Sequence, residues 1–497
     1  MPSDAREDAC VVGLDIGTTS TVAIVMRPSG EVLAAASRPS QLYSPAPGYA
    51  EADPREWWDN ACATLREAIT TAAVQPEAIC VTGMVPALIM LDAEGRPLRR
   101  SLQQNDARCA RELEEFSAEL DASQFLARTG QGLTQQLIAP KLRWIARHEP
   151  DVFALVTHIV GSYDYVNFRL TGRLTMERNW ALEAGFIDLG ADAIAPDLAA
   201  LTGLAQSTIP TLVAAHERIG AVTADAAAGT GLAVGAAVFG GAADHIASAL
   251  AAGLTDAGDV LLKFGGAGDV IAISERVEPD PRLFLDYHLI PGLYAPNGCM
   301  AASGSLLRWL AALIGGETSL ADLDAEAAAV AVGAEGVRML PYFLGEKTPI
   351  HDTLARGTIT GLSLSHGRGH IWRAALEAIA CGFRHHLDVL ADSGRAARRL
   401  FASDGGSRSD VWMQIVADVC GQPLSTLGDA YGSSVGAAWV AAVGMGLADW
   451  ADVGKARRLG RTFSPRPDAA AASDAIYADY RALYSDLRPF FQRGARS

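Results

Sequence analysis

Leu14 to Val22 reads "LDIGTTSTV": an apolar run, an aspartate, a glycine followed by hydroxyl residues, then a second run that continues as "AIV". The pattern is that of a strand, a tight turn and a strand. It recurs in the second half as "LKFGGAGDV", Leu262 to Val270, so that Asp15 aligns with Lys263 and Gly17 with Gly265. Two copies so far apart point to a duplicated domain rather than a solenoid, whose repeat would be about 20–50 residues. The chain has 497 residues, beyond the size at which one core usually stops growing. The boundary is expected in or just after the helix that starts near Asp244, giving domains 1–247 and 248–497.

Each turn has two readings. A carboxylate at a strand end followed by Gly-Thr-Thr can face a phosphate with backbone N–H groups and hydroxyls while Asp15 holds Mg²⁺; Gly and Thr also suit an ordinary hairpin. "KFGGAGD" lets backbone approach a ligand closely or is simply a flexible turn. "SDGGSRSDVW" places Gly405 and Gly406 before a helix that Ser409 or Asp410 can cap, and free amides there suit a nucleotide. In "FGGAADHIASAL", Phe239 to Leu250, Asp244 stands where a helix cap would stand, and His245 reads as structural.

The rest of the chain supplies a mixed sheet and its helices. "EVLAAASR" is a third strand, and a helix starts at Pro54 with Asp53 as its cap. "AICVTGM" is a strand and "ALIMLDAEGRPLRRS" a hairpin. "RIGAVTADAAAGTGLAVGAAVFGG" reads as a short hairpin and a strand leading to Asp244. "GSLLRWLAALIG" and "HIWRAALEAIACGFRHHLDVLAD" have helical spacing. "GSSVGAAWVAAVGMGL" is a helix with small residues over much of its surface, and the final helix carries Tyr477, Tyr480 and Tyr484 near one side for docking.

With 41 Lys+Arg against 57 Asp+Glu and a net charge of −16, broad binding to nucleic acid or anionic membrane is excluded. An anionic ligand must be held by amides, metal or local cations. Seven cysteines (10, 62, 80, 109, 299, 381, 420) form no C-x-x-C pair, which argues against a disulfide framework or a zinc site and for reduced thiols in a cytoplasm. The acidic "MPSDAREDAC" is not a signal peptide, and no stretch reads as a membrane span.

In this order, "GLDIGTTST", "GYAEADPREWW", "LDAEGRPL" with "QNDAR", "NFRLTG", "VFGGAADHIASALAAG", "LPYFLGEKTPIHD" with "ARGTITGLSLSH", "WRAALEAIACGFR", and "DGGSRSDVWMQIVADVCGQPL" with "GSSVGAAW" resemble the FGGY carbohydrate kinases, the sugar-kinase branch of the actin-like ATPase fold. The resemblance runs from about Val11 to about Gly446. It implies an α/β protein of two ribonuclease-H-like domains that takes ATP, Mg²⁺ and a small sugar in an interdomain cleft. Asp244 falls on the family's general base, with helix capping as a second duty. Asp15 falls on the metal-associated acid, Gly17, Thr18 and Thr19 on the first phosphate loop, Gly265 and Gly266 on the second, and Gly405, Gly406 and Ser409 on the adenosine region. Substrate positions are Met84, Val85, Asn105, Asp106, Trp180 and Asp244. The second loop reads Gly265-Gly266-Ala267 where relatives usually have Gly-Thr-Ser, and Met84-Val85-Pro86-Ala87 replaces the usual sugar motif. A ketopentose such as D-xylulose is the implied acceptor, with ribulose, fuculose, erythritol or glycerol as alternatives, and a non-catalytic ATP-binding regulator as the rival class. Homodimers are common in the family, and the sequence itself is silent on assembly.

Overall fold

A computed structural model describes residues 9–428 and 432–494. Both halves open on the same device. β1 (Val11–Ile16) pairs antiparallel with β2 (Ser20–Met26), which pairs antiparallel with β3 (Val32–Pro39). Helix α1 (Pro54–Ala72) follows, its Asp53 cap accepting the Arg55 amide at 2.9 Å, and it buries Trp57, Ala61, Leu65 and Ala68 along one stripe. β4 (Ala78–Gly83) then pairs parallel with β1. Both β1 and β4 are continuous apolar runs because central parallel strands are covered on both faces. With α2 (Ser162–Thr171), β5 (Arg218–Ala221) and β6 (Ala237–Phe239), the first seven-stranded sheet runs β5-β6-β4-β1-β2-β3, Ala242–Ala243 adding to β4.

Helix α3 (Asp244–Ala251) leads into the second half. There β7 (Asp259–Phe264) pairs antiparallel with β8 (Gly268–Ala272), which continues through β9 (Phe284–Tyr287) and β10 (Tyr294–Met300). Helices α4 (Gly304–Leu310) and α5 (Arg368–Asp392) precede β11 (Arg399–Ser403), which pairs parallel with β7 as β4 does with β1. Helix α6 (Asp410–Cys420), β12 (Leu424–Leu427), α7 (Ser433–Gly444), β13 (Leu459–Phe463) and α8 (Ala470–Gly494) complete a second seven-stranded sheet, β9-β10-β8-β7-β11-β12-β13.

α7 returns to the first half. Its small residues let it lie between β1 and α3 at backbone contact: a Cβ on Gly13 would sit 1.7 Å from the Ser434 carbonyl oxygen, and one on Gly436 would sit 1.9 Å from that of Ala247. α8 docks by its tyrosines, as its sequence predicts: Tyr477 donates to Asp388 at 2.6 Å, Tyr484 to Asp352 at 2.8 Å, and Tyr342 to Tyr480 at 2.8 Å.

The expected hairpin over residues 87–101 is present: Leu91 bridges Pro97, the Leu98 amide donates to the Met90 carbonyl at 2.9 Å and Leu88 pairs with Leu102, while Ile89–Leu91 also pairs with His158–Val160. One expectation changes. Between β5 and β6, Thr223 caps a helix over Ala224–Thr230, since its hydroxyl takes the Ala226 amide at 3.3 Å and the alanines that follow favour helix.

Because nothing at the α7 contact can move aside without shifting backbone, Gly436→Ala is expected to destabilise by about 1–3 kcal/mol. Gly367→Ala, where the added methyl meets nothing within 4 Å, is expected to stay within about 0.5 kcal/mol. Thermal unfolding of the two variants measures the difference.

Candidate active site at the junction of the halves

The ends of β1, β4 and β7 and the starts of α3 and α7 converge, the usual place for a ligand at the carboxyl ends of strands in an open sheet. β1 carries Asp15 one residue before its end and the chain turns at Gly17, whose amide donates to the Ser20 carbonyl at 3.0 Å. The turn admits no side chain there, since a Cβ on Gly17 would lie 2.9 Å from that oxygen. Thr18 and Thr19 are exposed at its tip. The Thr18 hydroxyl lies 3.9 Å from Met84 Sδ, so the first loop touches the segment that follows β4.

Asp15 has one carboxylate oxygen, Oδ1, enclosed and without a hydrogen-bond partner among the described residues. Burial, and then the Asp244 carboxylate, push its pKa up to about 7, while the Ser433 hydroxyl and the Lys263 ammonium pull the other way. A buried acid with an unsatisfied oxygen beside a second acid is a place for a cation.

Asp244 does not cap α3, contrary to the expected second duty. The helix starts one residue earlier than capping requires: Ala243 occupies the cap position and Asp244 is already helical. Its Oδ1 accepts the adjacent His245 amide at 2.6 Å, and its side chain is 35% exposed. The carboxylate is therefore open to a ligand.

His245 Nδ1 lies 3.5 Å from Asp244 Oδ1, and its Nε2 lies 3.0 Å from Asp286 Oδ2. Asp286, on β9 and only 2% exposed, also accepts Asn297 Nδ2 at 2.8 Å. Burial alone would lower the imidazole, but Asp286 and Asp244 hold it well above its ordinary pKa. Glu183 completes a group whose donor atoms lie within 4.8 Å of one another. The imidazole bridges Asp244 and Asp286 and so ties the first half to a strand of the second.

Of the remaining expected positions, Gly265 and Gly266 form the loop after β7, their carbonyls bound by the Gly304 amide and by the Ser303 and Ser305 amides at 2.9–3.0 Å. Gly405 opens the turn after β11 with nothing within 4 Å of a Cβ, whereas Gly406 packs on Phe264 and Trp412. Ser409 caps α6, and its hydroxyl donates to Asp324 at 2.6 Å. Met84 and Val85 are nearly enclosed and Asn105 is exposed. Asp106 is wholly buried and bonded to protein, accepting the Ala50 amide at 2.7 Å and the Arg108 guanidinium at 2.8 Å. Trp180 is enclosed too, its Nε1 donating to the Ala87 carbonyl at 2.9 Å.

Two family models match the chain: the N-terminal domain of the FGGY family of carbohydrate kinases over residues 10–251, and the C-terminal domain over residues 265–445. The chain belongs to this family. It is an ATP-dependent sugar kinase of the actin-like ATPase fold. Among solved structures it is similar to a xylulose kinase from Rhodospirillum rubrum, with 57% identity, a TM-score of 0.94, and coverage of 97% of this chain and 100% of that one. A xylulose kinase of Escherichia coli (strain K12) is 31% identical over 439 residues, 87% of this chain and 89% of that protein. An ADP-bound glycerol kinase from Plasmodium falciparum, at 20% identity and a TM-score of 0.88 over 96% of this chain and 98% of that one, shares the fold.

Within this FGGY kinase the motif reading did not single out Lys263, Ser433, Glu183 or Asp286, although Lys263 aligns with Asp15 and Ser433 lies in the "GSSVGAAW" motif. An Asp15 carboxyl raised to about 7 binds its proton more tightly folded than unfolded. The ligand-free protein thus loses stability as pH rises from the unfolded value towards 7. Asp15→Asn is expected to raise the thermal midpoint of the ligand-free protein at pH 8, with the gain fading at pH 5, while activity is lost. A lower midpoint at pH 8 would show that the carboxylate is stabilised rather than strained.

Proposed function

We propose that this kinase phosphorylates a ketopentose, D-xylulose first among them, with magnesium-bound ATP as donor and Asp244 as general base. The observation that carries the reading is the Asp244 carboxylate itself: free of capping, partly open, and placed where the first-half loop, the second-half loop and α7 meet. D-Xylulose is favoured by the names of the Rhodospirillum rubrum and Escherichia coli relatives, which cover 97% and 87% of this chain.

In the reaction the sugar hydroxyl attacks the terminal phosphorus, its proton passes to Asp244, and the bond to the ADP oxygen breaks. Magnesium, when bound, neutralises charge on the phosphates; the unpartnered Oδ1 of Asp15 and its acidic surroundings fit it, directly or through water. Gly17, Thr18 and Thr19 offer amides and hydroxyls to phosphate from one side, and Gly265 and Gly266 offer amides from the other. Gly405 leaves room for adenosine after β11. His245, held by Asp286, fixes the residue next to the base and so limits how far the base can turn. Met84, beside Thr18, borders the sugar where the first loop touches it. All seven cysteines are free, which suits a reducing cytoplasm.

ADP release from ATP in the presence of single sugars tests the reading. D-Xylulose is expected to drive turnover, and Asp244→Asn to lower it by about 10²–10⁴-fold with ADP affinity unchanged. Turnover with glycerol or ribulose alone would replace the acceptor; full activity in Asp244→Asn would remove the base.

A further inference from the structure

The two opening hairpins are equivalent, yet their equivalent side chains have opposite charge. Asp15 stands opposite Val22 in the β1–β2 ladder, and Lys263 opposite Asp269 in the β7–β8 ladder, each one residue before the strand ends. Both strands lead straight into their glycine turns, so the two side chains approach the junction from its two sides.

The surroundings of Lys263 are acidic. Asp269 faces it across the ladder, and its neighbour on β11 is Ser403, followed by Asp404, whose Oδ2 lies 3.5 Å from the position a Gly265 Cβ would take. Burial alone would lower the ammonium, but Asp269, Asp404, Asp244 and Asp15 together hold it above the ordinary lysine value. Despite these neighbours it forms no hydrogen bond or ion pair among the described residues. A partly buried ammonium in the field of four carboxylates but in contact with none has unused donors, and such donors are costly to leave unmade.

The adjoining loop has little else for an anion. Gly265, Gly266 and Ala267 carry no hydroxyl, and the carbonyls of the two glycines are tied to the start of α4. What remains is backbone N–H groups, Lys263, and Arg308, whose Nη2 lies 3.3 Å from a Cβ built on Gly266.

We propose that Lys263 is a catalytic residue: its ammonium donates hydrogen bonds to the terminal phosphate of the nucleotide and carries part of the negative charge as the phosphoryl group moves to the sugar. Lys263 keeps its own proton throughout. The new bond joins the sugar oxygen to phosphorus, the old bond to ADP breaks, and the sugar proton goes to Asp244. The proposal rests on the reading of this junction as the phosphoryl-transfer site, with Asp15 bringing metal to one side of the phosphate and Lys263 bringing fixed charge to the other.

Lys263→Met and Lys263→Arg test it, with Lys263→Gln as the alternative neutral variant should Met fail to fold. Affinities for ADP and for the non-hydrolysable triphosphate AMP-PNP, measured calorimetrically with magnesium and without sugar, are read beside kcat. We expect Met to lower kcat by about 10²–10³-fold and to weaken AMP-PNP by about tenfold while ADP shifts by less than about threefold. Arg is expected to restore most of the AMP-PNP preference. Equal weakening of both nucleotides together with a lower thermal midpoint would make Lys263 a structural counter-charge and overturn the proposal, as would an unchanged kcat. The nucleotide comparison needs no sugar, so a wild type that turns over no sugar would fault the acceptor and leave the Lys263 result readable.

Discussion

The backbone contact of α7 with β1 and α3 sets the rest of this molecule. Gly13 and Gly436 leave no room for a methyl group, so the three elements meet backbone against backbone. Asp15 follows Gly13 at the next-but-one position, Ser433 precedes Ser434, and Asp244 lies one helical turn before Ala247. Fixing these backbones fixes the two acids and the hydroxyl relative to one another. Interiors pack too densely for such a contact to deform gradually, which makes α7 a rigid spacer from which the second half is hung.

Around that spacer the protein brings like and unlike charges together. Asp15 is raised to about 7 by burial and by Asp244, and Lys263 lies in the field of both. Elsewhere Asp106 is paired with Arg108, and one oxygen of Asp286 is held by His245 and Asn297, while Asp286 Oδ1 and Glu183 Oε1, like Asp15 Oδ1, have no hydrogen-bond partner among the described residues. A cation and a polyphosphate bound together would satisfy Asp15 and Lys263 at once.

Much of this could be read from residue order. The hairpins were legible because apolar runs broken by Gly17 and by Gly265-Gly266 can do little else, and α1 because Asp53 and Pro54 mark its start. The small residues of α7 announced close packing, though not its partner, since contacts between Gly436 and Ala247 depend on how distant segments meet. Motif position could not tell that Asp106 is consumed by Arg108 or that Trp180 is enclosed, because both facts depend on side chains far away in sequence. Asp244 looked like a cap because it stands at a strand-to-helix junction, and only backbone geometry shows the helix starting on it. The group Glu183, His245 and Asp286 was invisible for the same reason, its members coming from three separate segments.

In the proposed complex one phosphate lies between Asp15 and Lys263 with Asp244 aimed at the acceptor. A crystal structure with magnesium, ADP, aluminium fluoride and D-xylulose tests it most directly. The aluminium fluoride is expected between an Asp15-associated metal and Lys263 Nζ, with Asp244 within about 3.2 Å of one sugar hydroxyl. A fluoride held away from both side chains, or a sugar whose hydroxyls do not reach Asp244, would contradict it.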